Sequence, residues 1–281
     1  MSVQALWMNG RMVEPDQPHL RVDDHGVMVG DGVFETLVVV PNGTGVAAFG
    51  VRRHLDRLRR SAQALLFDCP YNDNELRDAI ARCLDVAPGA GVVRITVTSS
   101  GGILGSRRGT GPGSTIVIAG NQPPRYAPGT AVATVSFTRN ERGAMAGIKT
   151  TSYAENVLAR DMARRRGASE AIFADTQGRV SEGTGSNIFW SDGGRLHTPP
   201  LDTGCLAGVT RELIMENLDV AETHLPLEDL PLVLEAFLAS STRVVQSIAR
   251  IDGTDLPLVN GALTAAAATA MADLMATNID P

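Results

Sequence analysis

Hydrophobic and polar residues follow one another along the chain in patterns that predict both strands and helices. Residues Ala5–Val13 place apolar stretches on either side of Asn9-Gly10, a favoured two-residue turn, which predicts a β-hairpin. The β-branched, apolar run Gly32–Val40 predicts a buried strand that stops at Pro41-Asn42-Gly43. From Val51 to Leu66, apolar residues recur at helical spacing and arginines occupy mainly the other face, which predicts an amphipathic helix.

The same patterns continue to the end of the chain. A helix is predicted over Asn74–Leu84, and the glycine-rich stretch Ser99–Gly113 separates strands at Val92–Thr98 and Ser114–Ala119. Because strands and helices mix in both halves without regular β-α-β spacing, the pattern predicts two α+β domains and not a doubly wound sheet. The later predicted elements are strands at Ala131–Phe137, Ala171–Asp175, Asn187–Trp190 and Glu235–Ser240, and helices over Tyr153–Arg166, from about Val209, and over Leu263–Thr277.

Residues 120–129 form the clearest boundary between domains. They contain three prolines and two glycines, which cannot hold a helix or a central strand. We therefore expect a small N-terminal α+β domain over residues 1–119, a linker over 120–129, and a larger C-terminal α+β domain over 130–281.

Composition narrows the classes of protein that remain. Of the 281 residues, 43% are hydrophobic and 20% charged, which excludes wholesale disorder. Three cysteines without a CxxC pair argue against a disulfide framework or a zinc site, and a net charge of −6 argues against nucleic acid as a partner. The first residues lack a basic and then apolar leader pattern, and no apolar run could span a bilayer. We expect a soluble, cytoplasmic enzyme with no metal.

Lysine is the most informative residue type in this chain. Lysine and arginine total 25, and Lys149 is the only lysine. Arginine serves surface charge and carboxylate pairing as well as lysine does, but its guanidinium stays charged near neutral pH and cannot attack a carbonyl. A lone lysine in the loop between a predicted strand and a predicted helix therefore suggests Schiff-base chemistry. A leftover surface lysine is the alternative that composition alone leaves open.

Pyridoxal 5′-phosphate needs an amine, an anion site and a partner for its pyridine nitrogen. At Leu206–Arg211 a glycine precedes a predicted helix, so backbone amides and the Thr210 hydroxyl could bind a phosphate. Arg57 could supply a fixed positive charge, and Ser240–Thr242 could supply further hydroxyls. A plain helix cap, a solvated arginine and an ordinary turn are the respective structural alternatives.

Glu182 is the candidate partner for a pyridine nitrogen. It lies in the glycine-rich stretch Val180–Asn187, and a carboxylate there would keep the nitrogen protonated. A surface glutamate in a turn is the alternative. The glycines do not form a GxGxxG motif between a strand and a helix, so a dinucleotide is not indicated.

Taken together and in this order, these motifs resemble the class IV (fold type IV) pyridoxal-phosphate aminotransferases. That family includes branched-chain and D-amino-acid aminotransferases, (R)-selective amine transaminases and 4-amino-4-deoxychorismate lyases. The resemblance covers almost the whole chain, and the segments that carry it are Gly30–Thr36, His54–Leu58, Lys149, Glu182–Asn187, Gly208–Arg211 and Ile251–Gly253.

The resemblance implies a D-amino-acid-aminotransferase-like fold of two α+β domains, with pyridoxal 5′-phosphate in the inter-domain cleft and a homodimer as the usual unit. It implies that Lys149 forms the Schiff base and moves the proton at the substrate α-carbon. It also implies that Glu182 binds the pyridine nitrogen. The phosphate ligands that it implies are Arg57, Val209, Thr210 and Ser241.

The resemblance is less specific about the substrate. It implies transfer of an amino group from an amino acid or amine to a 2-oxo acid, or, as the alternative, elimination of pyruvate by a 4-amino-4-deoxychorismate lyase. Arg107 or Arg108 is the candidate for a substrate carboxylate, although both could be solvated loop residues. Tyr153 lies four residues after the lysine, where branched-chain enzymes have a tyrosine five after it. Phe34, the other candidate substrate contact, lies in Phe34-Glu35-Thr36, which is closer to the lyase branch. A non-catalytic binding protein on this fold is a further alternative.

Overall fold

In the computed structural model, residues 2–17, 20–102, 104–121 and 126–281 are described, and the chain divides into two compact units. The first unit comprises Met1–Pro124, Ile148–Tyr153 and Met275–Pro281, and the second comprises Arg125–Gly147 and Ala154–Leu274. Both units mix helices and strands, which confirms the predicted α+β class.

The two compact units differ in extent from the predicted domains, whose limits stay a prediction. Two segments that we assigned to the C-terminal domain belong by their contacts to the first unit, and one of them carries Lys149. The physical reason is a pairing distant in sequence, because Thr150 forms an antiparallel bridge with Val33. Part of the predicted linker, residues 122–125, lies outside the described residues.

The first unit contains a six-stranded sheet whose neighbouring strands are all antiparallel, in the order β2-β1-β8-β5-β3-β4. The predicted hairpin at Asn9-Gly10 is confirmed, and both turn residues have positive φ angles, which asparagine and glycine tolerate best. Strands β6 and β7 pair with each other inside the predicted glycine-rich loop. The elements are β1 Val3–Met8, β2 Arg11–Val13, α1 His25–Met28, β3 Gly32–Asn42, β4 Gly45–Ala48, α2 Val51–Ala64, α3 Asp73–Val86, β5 Ala90–Thr98, β6 Ser100–Gly101, β7 Gly111–Pro112 and β8 Thr115–Asn121.

One hydrophobic core joins helices α2 and α3 to one face of this sheet. Helix α2 contributes an apolar stripe, as its sequence predicts, and α3 begins with a capping box between Asn72 and Glu75. The sheet contributes alternate residues of its strands because side chains alternate between faces. The core positions of β3 and β5 include Val33, Leu37, Val93, Ile95 and Val97.

The second unit contains a mixed sheet of nine strands in the order β11-β10-β9-β16-β15-β12-β13-β14, with β17 beside β16. Strand β9 is parallel to both of its neighbours, β10 and β16. The elements are β9 Thr130–Thr134, α4 Ala154–Arg165, β10 Glu170–Ala174, β11 Val180–Gly183, β12 Asn187–Ser191, β13 Leu196–Thr198, α5 Val209–Asn217, β14 Val220–Glu222, β15 Glu235–Ser240, β16 Val244–Ile251, β17 Thr254–Asp255 and α6 Ala262–Thr277, with 3-10 turns at Leu201–Thr203 and Leu227–Leu232.

The sequence pattern did not predict several strands of the second unit, namely β11, β13, β14, β16 and β17. Strand β11, which carries Glu182, lies where we expected a glycine-rich loop, because pairing with β10 gives this short, polar segment its strand conformation. Strand β9 ends at Thr134, three residues before the predicted end at Phe137. In the part of the chain that the structure describes, no helix is both long and apolar enough to cross a bilayer.

Candidate active site

The main chain around Lys149 is fastened to the first unit by strand-like contacts. The carbonyl oxygen of Lys149 accepts a hydrogen bond from the Phe34 amide at 3.0 Å, and its own amide donates to Ser61 Oγ at 3.4 Å. The Thr151 amide donates to the Gly32 carbonyl at 2.8 Å. Lys149 therefore extends from a backbone fixed on both sides, although it lies in an irregular segment between β9 and α4, as predicted.

The Lys149 side chain is half-buried and lies against an aromatic ring. Its Nζ atom is 4.6 Å from the centroid of the Phe34 ring, and the Tyr153 ring packs edge-on against Phe34 with centroids 5.4 Å apart. The structure thus brings together three of the predicted site residues. A ring face attracts a cation and is also an apolar surface, so Phe34 suits both the amine and an apolar substrate group.

Arg94 is a functional candidate that sequence reasoning missed. In the antiparallel pair of β3 and β5, Phe34 lies opposite Thr96, so Arg94 is its diagonal neighbour on the same face. The guanidinium carbon lies 3.8 Å from the Phe34 ring centroid, and Nε donates to Thr96 Oγ1 at 3.3 Å. Burial lowers the pKa of Arg94, and among the described residues the side chain forms no ion pair. A partly buried cation of this kind suits an anionic ligand.

Arg57, a predicted phosphate ligand, is buried in a cluster with Glu35 and His54. The Glu35 carboxylate accepts hydrogen bonds from Arg57 Nε at 2.8 Å and Nη2 at 2.7 Å, and from His54 Nδ1 at 2.7 Å. Burial acts to raise the pKa of Glu35, but Arg57 and His54 outweigh it and hold that pKa well below its usual range. Burial lowers the pKa of His54, so its imidazole is neutral near pH 7.

Arg107 and Arg108 lie in the loop between β6 and β7. Arg108 makes a two-point contact with Asp31, from Nε at 2.7 Å and Nη2 at 2.8 Å, whereas Arg107 is exposed. The geometry that we expected for a substrate carboxylate is therefore used on a carboxylate of the chain itself. A substrate contact by either arginine stays a prediction.

Glu182 lies on β11 in the second unit, with its side chain 12% exposed. One carboxylate oxygen accepts the Leu206 amide at 3.0 Å, and the other lies 3.2 Å from Arg139 Nε. Arg139 is itself held by Glu155 at 3.1 Å and by the face of the Phe173 ring. These contacts fix the direction of the carboxylate, which is what a hydrogen bond to one ligand atom requires.

The neighbouring thiol of Cys205 is not a candidate nucleophile. Burial raises its pKa to about 12, and the charge of Glu182 acts in the same direction. The thiol is therefore protonated and unreactive near neutral pH.

Helix α5 begins at the segment predicted to bind a phosphate, and that role stays a prediction. It begins at Val209 after Gly208, which has no side chain to accept hydrogen bonds from the first-turn amides. A Cβ atom at position 208 would lie 2.0 Å from Asn187 Oδ1, so this close approach requires glycine. Asn187 Nδ2 donates to the Leu206 carbonyl at 2.8 Å, and the Leu206 amide donates to Glu182, so Leu206 connects β11 to the loop that precedes the helix.

Thr210 and Ser241 complete the set of predicted phosphate ligands. Thr210 is buried in the first turn of α5, and Ser241 is half-buried in the turn between β15 and β16. Arg57 and Lys149 belong to the first unit, and Glu182, Val209, Thr210 and Ser241 belong to the second.

Comparison with known proteins establishes the family. The family model described as amino-transferase class IV matches residues 32–251, more than three quarters of the chain. The chain belongs to the class IV aminotransferases. It is therefore an enzyme of the transaminase class, as its motifs predict.

Relatives and solved structures agree with this assignment. A protein of Methanocaldococcus jannaschii, provisionally named as a branched-chain amino acid aminotransferase, is 33% identical over 257 residues, 88% of each chain. The aminodeoxychorismate lyase of Bacillus subtilis is 29% identical over 271 residues, 93% of this chain and 91% of its own. The structure of a branched-chain aminotransferase from Thermoproteus uzoniensis with norvaline has a TM-score of 0.88 at 30% identity, covering 97% of this chain and 94% of that one.

The motifs of this class IV aminotransferase did not reveal three of its candidate residues, Arg94, Glu35 and Arg139. Arg94 and Glu35 are each a charge inside a predicted apolar strand, and such a charge is a signal that could have singled them out. Arg139 lies in an irregular, polar segment and has no comparable signal. Solved relatives are described in complex with pyridoxamine 5′-phosphate or in a PLP form, so cofactors of the pyridoxal type occur on this fold.

Proposed function

We propose that this enzyme binds pyridoxal 5′-phosphate and transfers the amino group of a branched-chain amino acid to a 2-oxo acid. The observation that carries the proposal is the setting of Lys149. The only amine-bearing side chain of the sequence is half-buried against Phe34, on a backbone fastened to β3 and α2. A leftover surface lysine, which is the alternative that composition leaves open, would not be expected to make these contacts.

The residues present fit the cofactor by the chemistry of their donor groups. The first-turn amides of α5, the hydroxyls of Thr210 and Ser241 and the Arg57 guanidinium are all groups that suit a phosphate. Glu182, with its direction fixed by Leu206 and Arg139, suits a protonated pyridine nitrogen.

When bound, the cofactor supplies an aldehyde for amines and a ring that takes up electrons from the substrate α-carbon. Lys149 Nζ would hold the cofactor at that aldehyde and, once displaced by the substrate amine, would be free to remove and return the proton at the substrate α-carbon. Glu182 keeps the ring nitrogen protonated. Both roles need fixed positions, which the contacts of these two residues provide.

The surroundings of Lys149 favour an apolar amino acid as the substrate. The faces of Phe34 and Tyr153 offer an apolar surface, and Arg94 offers a cation for a carboxylate. Arg94 suits this role better than Arg108, whose guanidinium contacts Asp31, or Arg107, which is exposed. The named branched-chain relatives support the same substrate class.

The proposal includes a homodimer in the cytoplasm. Several large apolar side chains of the first unit are exposed near its α1 segment, which is a feature of surfaces that bind other proteins. These side chains are Val22, Val27, Met28, Val29 and Leu104.

A 4-amino-4-deoxychorismate lyase is the second candidate. It is favoured by the similarity to the Bacillus subtilis lyase and by the Phe34-Glu35-Thr36 motif. The two activities differ in their products, because a lyase releases pyruvate and needs no amino acceptor.

A substrate screen on the cofactor-loaded protein tests the proposal. The panel contains both enantiomers of leucine, valine and alanine, together with 1-phenylethylamine and aminodeoxychorismate. We expect L-leucine or L-valine alone to convert the bound cofactor to its pyridoxamine form, seen as a change in its absorption spectrum. Pyruvate release from aminodeoxychorismate without an acceptor would instead establish the lyase. Conversion by only the D-enantiomers or the amine would contradict the branched-chain assignment.

A further inference from the structure

Helix α2 carries a stripe of buried polar residues on the side where an amphipathic helix normally has apolar ones. His54, Arg57 and Ser61 are 2%, 5% and 4% exposed, and their spacing of three and four residues places them on one face. Buried polar groups need partners because their desolvation is costly. The hydrogen-bond partners of these three residues therefore indicate the role of the stripe.

Glu35 on β3 is the partner of two of these residues. Its side chain is fully buried, and its carboxylate binds the Nε and Nη2 edge of Arg57 while accepting from His54 Nδ1. A two-point contact fixes the plane of a guanidinium, and the histidine contact fixes the carboxylate in turn. Because a carboxylate uses only two of the five N–H groups of arginine, Arg57 can bind Glu35 and a further anion together.

The same stripe leads to Lys149. Ser61, one helical turn after Arg57, accepts a hydrogen bond from the Lys149 amide, and Phe34, the neighbour of Glu35, donates its own amide to the Lys149 carbonyl. Burial lowers the pKa of His54, and the charges of Arg57 and Lys149 act in the same direction. Glu35, Arg57 and Lys149 are thus built into one connected part of the first unit.

We propose that Glu35 and His54 are positioning residues that hold Arg57 in the orientation needed to bind the phosphate of the cofactor. The inference rests on the proposed function, because it assumes that pyridoxal 5′-phosphate is the ligand. Glu35 and His54 act through Arg57 and do not touch the ligand themselves. Their contribution should therefore be specific to the phosphate group.

Comparison of pyridoxal 5′-phosphate with pyridoxal, which lacks the phosphate, isolates that contribution. The measured quantity is the ratio of the two dissociation constants for each apoprotein, with thermal unfolding of the same samples as the folding check. We expect Glu35→Gln to reduce the preference for the phosphorylated form about tenfold or more, the effect of losing one charge-assisted hydrogen bond. Arg57→Gln should reduce it at least as much.

Glu170→Gln is the matched control, since Glu170 is also buried and paired with an arginine, Arg243, at 3.1 Å. It should lower thermal stability and leave the preference for phosphate unchanged. If Glu35→Gln does not fold, His54→Leu decides the question, because it keeps the Glu35–Arg57 pair and removes one donor. We expect it to reduce the preference by about threefold or more.

The outcomes separate this inference from the proposed function. If the parent protein binds neither compound, or binds both equally, the proposed cofactor site is wrong. If the parent prefers the phosphorylated form and Arg57→Gln reduces that preference, an unchanged ratio in folded Glu35→Gln or His54→Leu overturns the positioning role alone. An equal loss in Glu170→Gln would also overturn it, since the effect would then follow stability.

Discussion

Each unit buries a glutamate that pairs with an arginine, and the two pairs do different things. Glu35 in the first unit accepts hydrogen bonds from the side chains of Arg57 and His54. Glu170 in the second unit also accepts the Thr184 amide at 3.1 Å and the Thr184 hydroxyl, so it holds the backbone after β11. A carboxylate that binds amides fixes a loop, whereas one that binds only side chains orients those side chains.

The largest effect should come from replacing Lys149, the candidate Schiff-base lysine of the first unit. We expect Lys149→Arg to reduce turnover on the order of 10³-fold or more, because the guanidinium keeps the charge and cannot act as the amine or proton carrier. Steady-state transamination with L-leucine measures this effect. Thermal unfolding should change little, and turnover within tenfold of the parent would contradict the role of Lys149.

Glu182 combines the two kinds of contact, because it accepts the Leu206 backbone amide and also lies against the Arg139 side chain. It therefore sharpens the comparison between Glu35 and Glu170. In Glu182→Gln the amide oxygen can still accept from Leu206, so the loop should stay folded. We expect turnover to fall on the order of 10²-fold, because a neutral amide no longer keeps the pyridine nitrogen protonated. Single-turnover kinetics measure this loss. A parallel loss of turnover and thermal stability would show that Glu182 only holds the loop.

Arg94 and Arg107 offer a matched test of the carboxylate site. We expect Arg94→Gln to raise the KM for the 2-oxo acid about tenfold to a hundredfold, the effect of losing a charge-assisted hydrogen bond. Arg107→Gln, at an exposed position, should leave KM within about twofold. Steady-state kinetics with 2-oxoisocaproate measure both variants, and the reverse ranking would restore Arg107 as the substrate contact.

The control pair in the second unit should affect stability and not chemistry. Removing the charge in Glu170→Gln leaves Arg243 buried without its carboxylate, which should lower the free energy of unfolding by about 3 kcal/mol. Denaturant unfolding measures the change, and turnover per folded molecule is the comparison. A fall in turnover without a fall in stability would mean that Glu170 also belongs to the reacting site.

The smallest effect concerns a buried histidine near the exposed loop of the first unit. Both ring nitrogens of His25 face groups that only accept, the Asp31 carboxylate at 3.0 Å and the Gly105 carbonyl at 2.9 Å, so both must carry hydrogen. The hydrogen bond to Asp31 raises the pKa of His25 above its usual 6.5, against burial and the charge of Arg108, which lower it. The stabilisation is therefore present below pH 6.5 and lost as pH rises through the raised pKa.

Thermal unfolding of the parent and of His25→Gln between pH 6 and pH 9 tests this sign. The parent should lose stability relative to the variant as the pH rises. The same dependence in both proteins would show that His25 is neutral in the folded state.

Local features of the fold could be predicted from the sequence because their causes are local. The hairpin at Asn9-Gly10 and the apolar stripe of α2 each depend on neighbouring residues, and both are found where the pattern predicts them. Strand β11 was missed because a short edge strand depends on pairing with β10 and has little apolar alternation. The bridge from Thr150 to Val33 could not be predicted for a similar reason, since it spans more than a hundred residues.

For the candidate site, the sequence predicted residue types better than their surroundings. A solitary lysine and a glycine before a predicted helix can be identified from the amino-acid sequence alone. The contact of Arg94 with Phe34 arises from the register of β3 and β5, which no motif encodes. The engagement of Arg108 with Asp31 likewise depends on where the loop folds.

Covalent trapping at Lys149 tests the central claim most directly. The protein is incubated with pyridoxal 5′-phosphate, reduced with borohydride, digested and mapped by mass spectrometry. We predict that the phosphopyridoxyl group is found on the peptide containing Lys149 and that Lys149→Arg shows no modification there. A parent protein whose Lys149 peptide stays unmodified, under conditions that label a known pyridoxal-phosphate enzyme, would contradict the account.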